Sequence, residues 1–349
     1  MVRITYDNLT TGQAFSPAVF FSHNGKAPAL FKRGRKASFG DLDQIRRPAI
    51  ERGLIRPAAL ARPVQRDLEI AGLFIGGKQA EFFSMSVAER KRLCAAAVEV
   101  AREYREHGSI MMSCSDQNLD TVLELAEYAE AAGADYVVIH SPVLHFGEHV
   151  EETVYEYYRY LSERLRLGIV MWSHPDAGYL MTPETCARIA ADCRNVVAIK
   201  YSVPRAMYAE LTHLARENLI VSTASEAEWL DNIIELGWQL YLCSAPPLLY
   251  QTTTDRRIHE YTQLAFSGKH REARRIRDSL EHVRDALAQT RPHGTPHAQQ
   301  KYWLELLGQV GGPVRRPLLG LTDAQRAAIR AAFQASGLAP QESAAMAVP

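Results

Sequence analysis

Apolar residues gather in short runs, set apart by longer stretches in which they recur every three or four positions. The runs are SPAVFFS (16–22), GLFIGG (72–77), SIMMSCS (109–115), ADYVVIHS (134–141), GIVMWSH (168–174), VVAIK (196–200), LIVSTAS (219–225) and QLYLCSA (239–245). Short continuous apolar runs predict strands buried on both faces, the habit of a parallel sheet. The stretches between them predict amphipathic helices. LDTVLELAEYAEAAG keeps its apolar residues at helical spacing and stops on Gly133. TPETCARIAADC opens with Thr182 as N-cap, Pro183 at the first helical position and Glu184 in the first turn.

Strand–helix alternation predicts a parallel sheet clothed by helices, and eight such units fit a closed barrel. The competing fold, an open doubly wound sheet, would bring a GxGxxG turn after an early strand, and FIGGK is all the chain offers there. From about residue 255 the strand pattern stops. DRRIHEYTQLAFSGKHREARRIRDSLEHVRDAL and TDAQRAAIRAAFQASG are helical, with Lys, Arg and Glu on exposed faces. The expected fold is thus α/β: a (β/α)8 TIM barrel over residues 1–250, a C-terminal helical domain over 251–338 and a flexible tail over 339–349. Residues 23–65, between the first two strands, form a long connection rich in Pro, Gly and Arg. A strand-to-helix connection emerges on the face where barrel chemistry sits. The insertion therefore reads as a lid, an oligomer contact or a plain surface insertion.

Composition narrows the classes of function. Forty basic residues balance forty acidic ones and the pI is near 7.2. No global field draws nucleic acid or an anionic membrane, so neither is expected as a partner. Lys32-Arg33-Gly34-Arg35-Lys36 is too short to alter that and reads as a solvated loop. The cysteines, Cys94, Cys114, Cys186, Cys193 and Cys243, show no CxxC spacing, which suits a reduced intracellular protein. MVRITYDNLTTGQ lacks the apolar core of a signal peptide, and no run is long enough to span a bilayer. The expected location is the cytoplasm.

NVVAIKYS (195–202) ends its apolar run on Lys200. A lysine there must be paired, solvated at the strand end, or used. Desolvation at a strand end lowers a lysine's pKa, leaving neutral amine able to attack a carbonyl, and the iminium so formed is an electron sink. In a barrel the chemistry sits at the strand ends. There the chain resembles the dihydrodipicolinate synthase and N-acetylneuraminate lyase family. AGLFIGGKQAEFFSMSVAERKRL resembles its strand-2 segment, GIVMWSHPDAGYLMTPETCARIAADCRNVVAIKYS its strand-5 to strand-6 segment, and LLGQVGGPVRRPLLGLTDAQRAAIRAAF its C-terminal helices. The resemblance runs from about 66 to 338. It implies a (β/α)8 barrel with C-terminal helices, a cofactor-free and metal-free site, a homotetramer or homodimer, and Lys200 as the Schiff-base lysine.

The rest of the family's pattern is altered. Where the family has Gly-Thr/Ser-Thr-Gly-Glu to hold a 2-oxoacid carboxylate, this chain has Gly77-Lys78-Gln79-Ala80-Glu81. Lys78 can pair with a substrate carboxylate, and Gln79 can donate a hydrogen bond; the alternative is that Lys78 points into solvent or pairs with Glu81. The tyrosine that relays protons in the family falls on Trp172, whose indole only donates. The Pro-Tyr-Tyr segment reads Ser141-Pro142-Val143-Leu144-His145, so the cross-subunit tyrosine is missing as well. His174 and His140 are the candidates to move protons, with a structural role as the alternative for each. Tyr179 is a further phenol, and Tyr201 should face away from Lys200 by strand alternation. Ser141, Val143, Leu144, Ser222, Thr223 and Glu226 complete the expected substrate-binding set.

His140, His145 and His149 invite a metal reading, but a strand end and a loop need not bring them together, and no metal is expected. The expected function is a Schiff-base lyase or aldolase acting on a pyruvate-type 2-oxoacid, by C–C cleavage or condensation. Alternatives are a dehydratase or hydratase-aldolase of a sugar acid or aromatic substrate on the same lysine, and a catalytically altered relative that binds a metabolite. The form of PDAGYLMTP and the apolar Val143, Leu144 and Trp172 incline the resemblance toward the aromatic hydratase-aldolases.

Overall fold

The computed structural model describes residues 18–22, 72–103, 109–142, 149–215, 218–242, 246–252, 254–292, 296–309, 311–338 and 340. The 23–65 insertion, the basic stretch at 32–36, Val143, Leu144, His145, Cys243 and, apart from Pro340, the 339–349 tail lie outside the described residues.

Each apolar run of the sequence supplies a strand. These are β1 (Ala18–Ser22), β2 (Gly72–Ile75), β3 (Ser109–Ser113), β4 (Tyr136–His140), β5 (Gly168–Ser173), β6 (Val196–Tyr201), β7 (Ile220–Ser222) and β8 (Leu240–Leu242). They form one eight-stranded sheet in the order β7-β6-β5-β4-β3-β2-β1-β8. From β2 to β7 every neighbouring pair is parallel. The Ser222 side chain bridges the end strands: its Oγ donates to Leu240 O (2.9 Å) and accepts from Leu242 N–H (2.8 Å).

β1 departs from the expected all-parallel barrel. It pairs antiparallel with β2, Ala18 opposite Phe74, and antiparallel with β8, Phe20 opposite Leu242. The reason is a symmetry of the pattern. Alternation with a period of two reads the same when a strand is reversed, so apolar runs fix membership of the sheet but not direction.

Helices follow the parallel strands: α1 (Val87–Glu103), α2 (Leu119–Ala132), α3 (Val150–Arg164), α4 (Pro183–Asp192), α5 (Arg205–Ala215) and α6 (Glu226–Leu236). Their ends follow local chemistry. The Asn118 side chain caps α2 by accepting from Asp120 and Thr121 N–H, and Gly133 ends it at φ 92°. Thr182 caps α4 from just before Pro183. After β8 come α7 (Pro246–Leu249), α8 (Arg257–Phe266), α9 (His270–Asp278), α10 (Glu281–Gln289), α11 (His297–Leu306) and α12 (Asp323–Ala335). The long basic helical stretch of the sequence is thus three helices, α8 to α10.

Alternation sorts the strand residues into two cores. Ile110, Met112, Val137, Ile139, Ile169, Met171, Ile199 and Tyr201 pack outward with helix residues such as Leu125, Tyr158, Ile189 and Tyr208. Phe74, Met111, Tyr136, Val138, Val170, Trp172, Ala198, Leu240 and Leu242 fill the interior of the sheet. The C-terminal helices are fastened by buried indoles. Trp229 on α6 donates to Thr262 on α8 (3.0 Å), and Trp303 on α11 donates to the Leu249 carbonyl (3.0 Å). Each buried indole removes on the order of 200 Å² from water, about 5 kcal/mol at ~25 cal/mol per Å².

Candidate active site

The strand register sets one row of side chains across the C-terminal ends of four strands. His140 on β4 pairs with Trp172 on β5, Trp172 with Lys200 on β6, and Lys200 with Ser222 on β7. Partners at one register position in a parallel sheet project to the same face. Here that face is the interior, because Val138, Val170 and Ala198, two residues earlier on β4, β5 and β6, lie in the inner core. Tyr201 belongs to the outer core and donates to the Met181 carbonyl. It therefore turns away from Lys200, as alternation predicts.

Lys200 is 2% exposed. Its Nζ stands over two aromatic rings, 5.2 Å from the Phe74 centroid and 5.8 Å from that of Trp172. Phe74 and Trp172 meet edge to face at 5.9 Å, so the amine sits against an apolar corner. Ring faces at this range favour a cation by about 0.5–2 kcal/mol. The same faces would lie against an iminium formed on this nitrogen. The indole Nε1 of Trp172 is buried and has no hydrogen-bond partner among the described residues.

A histidine ring meets Trp172 from each of two directions: His140 edge to face at 4.9 Å, and His174 at 6.2 Å. Their hydrogen bonds give them opposite tautomers. His140 Nδ1 lies 2.6 Å from the Ser141 carbonyl, which only accepts, so Nδ1 carries the proton and Nε2 the lone pair. His174 Nδ1 accepts from Asp176 N–H (3.2 Å), so its proton is on Nε2. Burial draws the His174 imidazole down to about 4; Asp176 opposes this, while Lys78, His140 and Lys200 add to it. The 3.4 Å approach of Asp176 Oδ1 to Nδ1 is accordingly no ion pair near neutral pH. Burial also lowers His140, against its bond to Ser141 and the field of Asp176, with Lys78 lowering it further. Near neutral pH one ring presents a base and the other a donor.

Lys78 arrives from the loop after β2. Gly76 turns the chain at φ +68°, a conformation L side chains rarely adopt. Buried Gly77 then leads into a short 3-10 turn, Lys78–Ala80. The Lys78 ammonium pairs with the Asp176 carboxylate in the turn after β5, bridging the loops at two strand ends. Lys78 does not take Glu81; that carboxylate pairs with Lys301. Gln79 is half-buried beside it. Burial of Asp176 raises its pKa, but Lys78 and His174 outweigh that and hold it below the ordinary carboxylate value.

The other expected residues divide. Ser141, at the end of β4, is 2% exposed, and its hydroxyl has no partner among the described residues. Ser222 ends the row beside Lys200, with its hydroxyl engaged on the β7–β8 seam. Thr223 follows it and is buried. Glu226 begins α6, and its carboxylate accepts from Tyr261 Oη (2.8 Å) and pairs with Arg284 (3.0 Å), both on the C-terminal helices. Tyr179 packs against the outer core, and burial raises its phenol to about 12. His149 precedes α3 as its cap residue. Sequence reasoning missed two neighbours of the lysines, Phe74 and Asp176. Phe74 was legible as the inward residue of GLFI, and Asp176 as the acid of His-Pro-Asp after a strand.

Comparison with known proteins points one way. The profile described as the Dihydrodipicolinate synthetase family matches residues 45–336. The 4-hydroxy-tetrahydrodipicolinate synthase of Thermotoga petrophila is 28% identical over 290 residues, 79% of this chain and 92% of that protein. The enzyme of the same name from Brucella suis biovar 1 is 24% identical over 270 residues, 76% and 87% of the two chains. The solved dihydrodipicolinate synthase of Thermotoga maritima gives a TM-score of 0.68 at 25% identity, covering 79% of this chain and 91% of that one. A prophage protein of the same family from E. coli K12, in complex with pyruvate, gives 0.69 at 19% identity over 80% and 92%, a likeness of fold alone.

Proposed function

The chain belongs to the dihydrodipicolinate synthetase family, and on that premise we propose that Lys200 captures the carbonyl carbon of a pyruvate-type 2-oxoacid as a Schiff base. Membership makes the chain a lyase of the class I aldolase type, working on carbon–carbon or carbon–oxygen bonds. The observation that carries the proposal is the burial of Lys200 in register with Trp172 and His140, its Nζ against two aromatic rings.

Capture needs proton traffic. The neutral amine adds to the carbonyl carbon, and one of its protons must reach the carbonyl oxygen to give a carbinolamine. That oxygen then takes a second proton and leaves as water, and the nitrogen lone pair closes the C=N bond of the iminium. Trp172 cannot carry these protons, since an indole N–H donates and does not titrate near neutrality. We assign the transfers to His140, whose Nε2 takes the proton from the adding nitrogen and returns it to the oxygen, the second proton coming from water through the same ring. The Nε2–H of the neutral His174 donates a hydrogen bond to that oxygen. Loss of a proton from the carbon next to the iminium gives an enamine, the nucleophile of condensation and the product of cleavage. The Lys78 ammonium is assigned to the substrate carboxylate, exchanging its Asp176 partner for it, with Gln79 donating alongside.

A second reading rests on the walls of the site. Phe74 and Trp172 favour a bulky or aromatic carbonyl partner, which would make the chain a hydratase-aldolase or dehydratase on the same lysine. Assembly as a homodimer or homotetramer belongs to the proposal, and light scattering of the purified chain checks it. Among the described residues no helix is long and apolar enough to cross a membrane.

Exchange of the pyruvate methyl protons in D2O, followed by NMR, tests the reading. Enzyme-dependent exchange that disappears in Lys200→Ala supports it. Exchange that survives the substitution contradicts it.

A further inference from the structure

The loop that carries Lys78 is held from below by the C-terminal helices, through charges that the chemistry described above does not use. Glu81, three residues on, is 2% exposed and takes φ +60°, a conformation that costs a residue with a side chain. Its carboxylate pairs with Lys301 Nζ on α11 (2.7 Å) and accepts from Arg315 N–H (2.9 Å). Lys301 Nζ also donates to the Pro313 carbonyl (2.8 Å). The Arg315 guanidinium donates to the Ser84 carbonyl (3.1 Å) and pairs with Glu89 (2.8 Å). His297, at the head of α11, donates from Nε2 to the carbonyl of Lys78 itself (2.8 Å).

Two carboxylates and two cations are thus buried in mutual contact, Glu81 and Glu89 with Lys301 and Arg315. A Cβ at Gly311 would overlap the Lys301 carbonyl, so the 311–315 segment lies directly on α11. A buried ion pair seldom adds net stability over an apolar pair of similar size, whereas it does fix geometry. Hydrogen bonds to the backbone on either side of a strained residue over-determine that residue's place.

We propose that Lys301 is a positioning residue: through Glu81 it fixes the loop after β2, and so sets where the Lys78 ammonium stands at the mouth of the barrel. The consequence for catalysis rests on the assignment of Lys78 to the substrate carboxylate. The C-terminal helices are on this account part of the substrate-binding apparatus. Lys301 touches no substrate, and its effect is on binding rather than on the covalent step.

The test uses the full chain as wild type, Lys301→Met and Glu81→Gln/Lys301→Met; the double variant leaves neither charge of the Lys301–Glu81 pair behind. Two readouts are taken on folded protein: borohydride trapping as a function of pyruvate concentration, and the rate at which an amine-acetylating reagent labels Lys78, read by peptide mass. The expected result is a half-saturating pyruvate concentration about tenfold higher with the maximal trapping rate unchanged, the split that loss of binding geometry produces. Lys78, loosened from Asp176, should be acetylated several-fold faster. A double variant that melts like wild type with both readouts unchanged overturns the proposal. So does misfolding of both variants, which would make the network purely structural. If wild type traps nothing, the Schiff-base reading fails instead, and the Lys78 labelling alone decides this inference.

Discussion

His174→Asn isolates the electrostatics of the barrel mouth. The imidazole is about a quarter exposed and sits beside Lys78 and Asp176, with its Nδ1 accepting from Asp176 N–H. Burial brings its pKa from 6.5 down to about 4. The folded chain therefore binds this proton less tightly than the unfolded chain. The group's share of stability is complete above about pH 6.5 and drains away as pH falls toward 4. At 1.36 kcal/mol for each tenfold change in affinity, the displacement amounts to about 3 kcal/mol over that window. Asparagine places Oδ1 where Nδ1 stands, so it keeps the acceptor and removes the titration. Urea denaturation of both proteins from about pH 7.5 to 4.5 measures the difference, with linear extrapolation to water. The two should agree within about 1 kcal/mol at the upper end, and wild type should lose about 2–3 kcal/mol more on descending. His140 and His297, both lowered by burial, titrate in both proteins and cancel. Parallel curves would refute the reasoning, because they would mean that the folded chain accepts a charged His174 without penalty.

Other expectations follow from single contacts. Ser222→Ala leaves the Leu240 carbonyl and the Leu242 N–H without the hydroxyl that joins them. It should cost about 1–3 kcal/mol of stability, read as a lower denaturation midpoint. Trp172→Phe keeps the aromatic wall and removes an indole N–H that has no partner among the described residues. If that N–H serves a bound 2-oxoacid, half-saturating pyruvate in the trapping assay should rise about fivefold, the worth of one neutral hydrogen bond. Trp172→Tyr, which restores a phenol able to give and take a proton, should speed methyl-proton exchange; exchange no faster than in the phenylalanine variant would count against a missing relay.

Much of this architecture is legible in the residues. GIVMWSH and VVAIK announce β5 and β6 by their apolar continuity, and strand alternation alone sends Tyr201 outward and Lys200 inward. Thr182 and Gly133 mark helix ends because caps are local chemistry. What escapes is set by contacts distant in sequence. The direction of β1 depends on its partners, which a pattern of period two does not encode. Lys78 and Asp176 lie 98 positions apart, and only the juxtaposition of the β2 and β5 ends makes them a pair. Glu226 stands where a substrate contact was expected, but its carboxylate serves Tyr261 and Arg284 on helices whose docking the barrel pattern does not specify. Glu81 is one of the alternatives local sequence offers for Lys78, and Lys301 on α11 takes it instead.

The most direct test of the central claim is borohydride reduction of the chain in the presence of pyruvate, followed by intact mass and peptide mapping, with Lys200→Ala alongside. One covalent adduct is expected on wild type, mapped to Lys200, and none on the variant. An adduct on another lysine, or an equal adduct on Lys200→Ala, would contradict it.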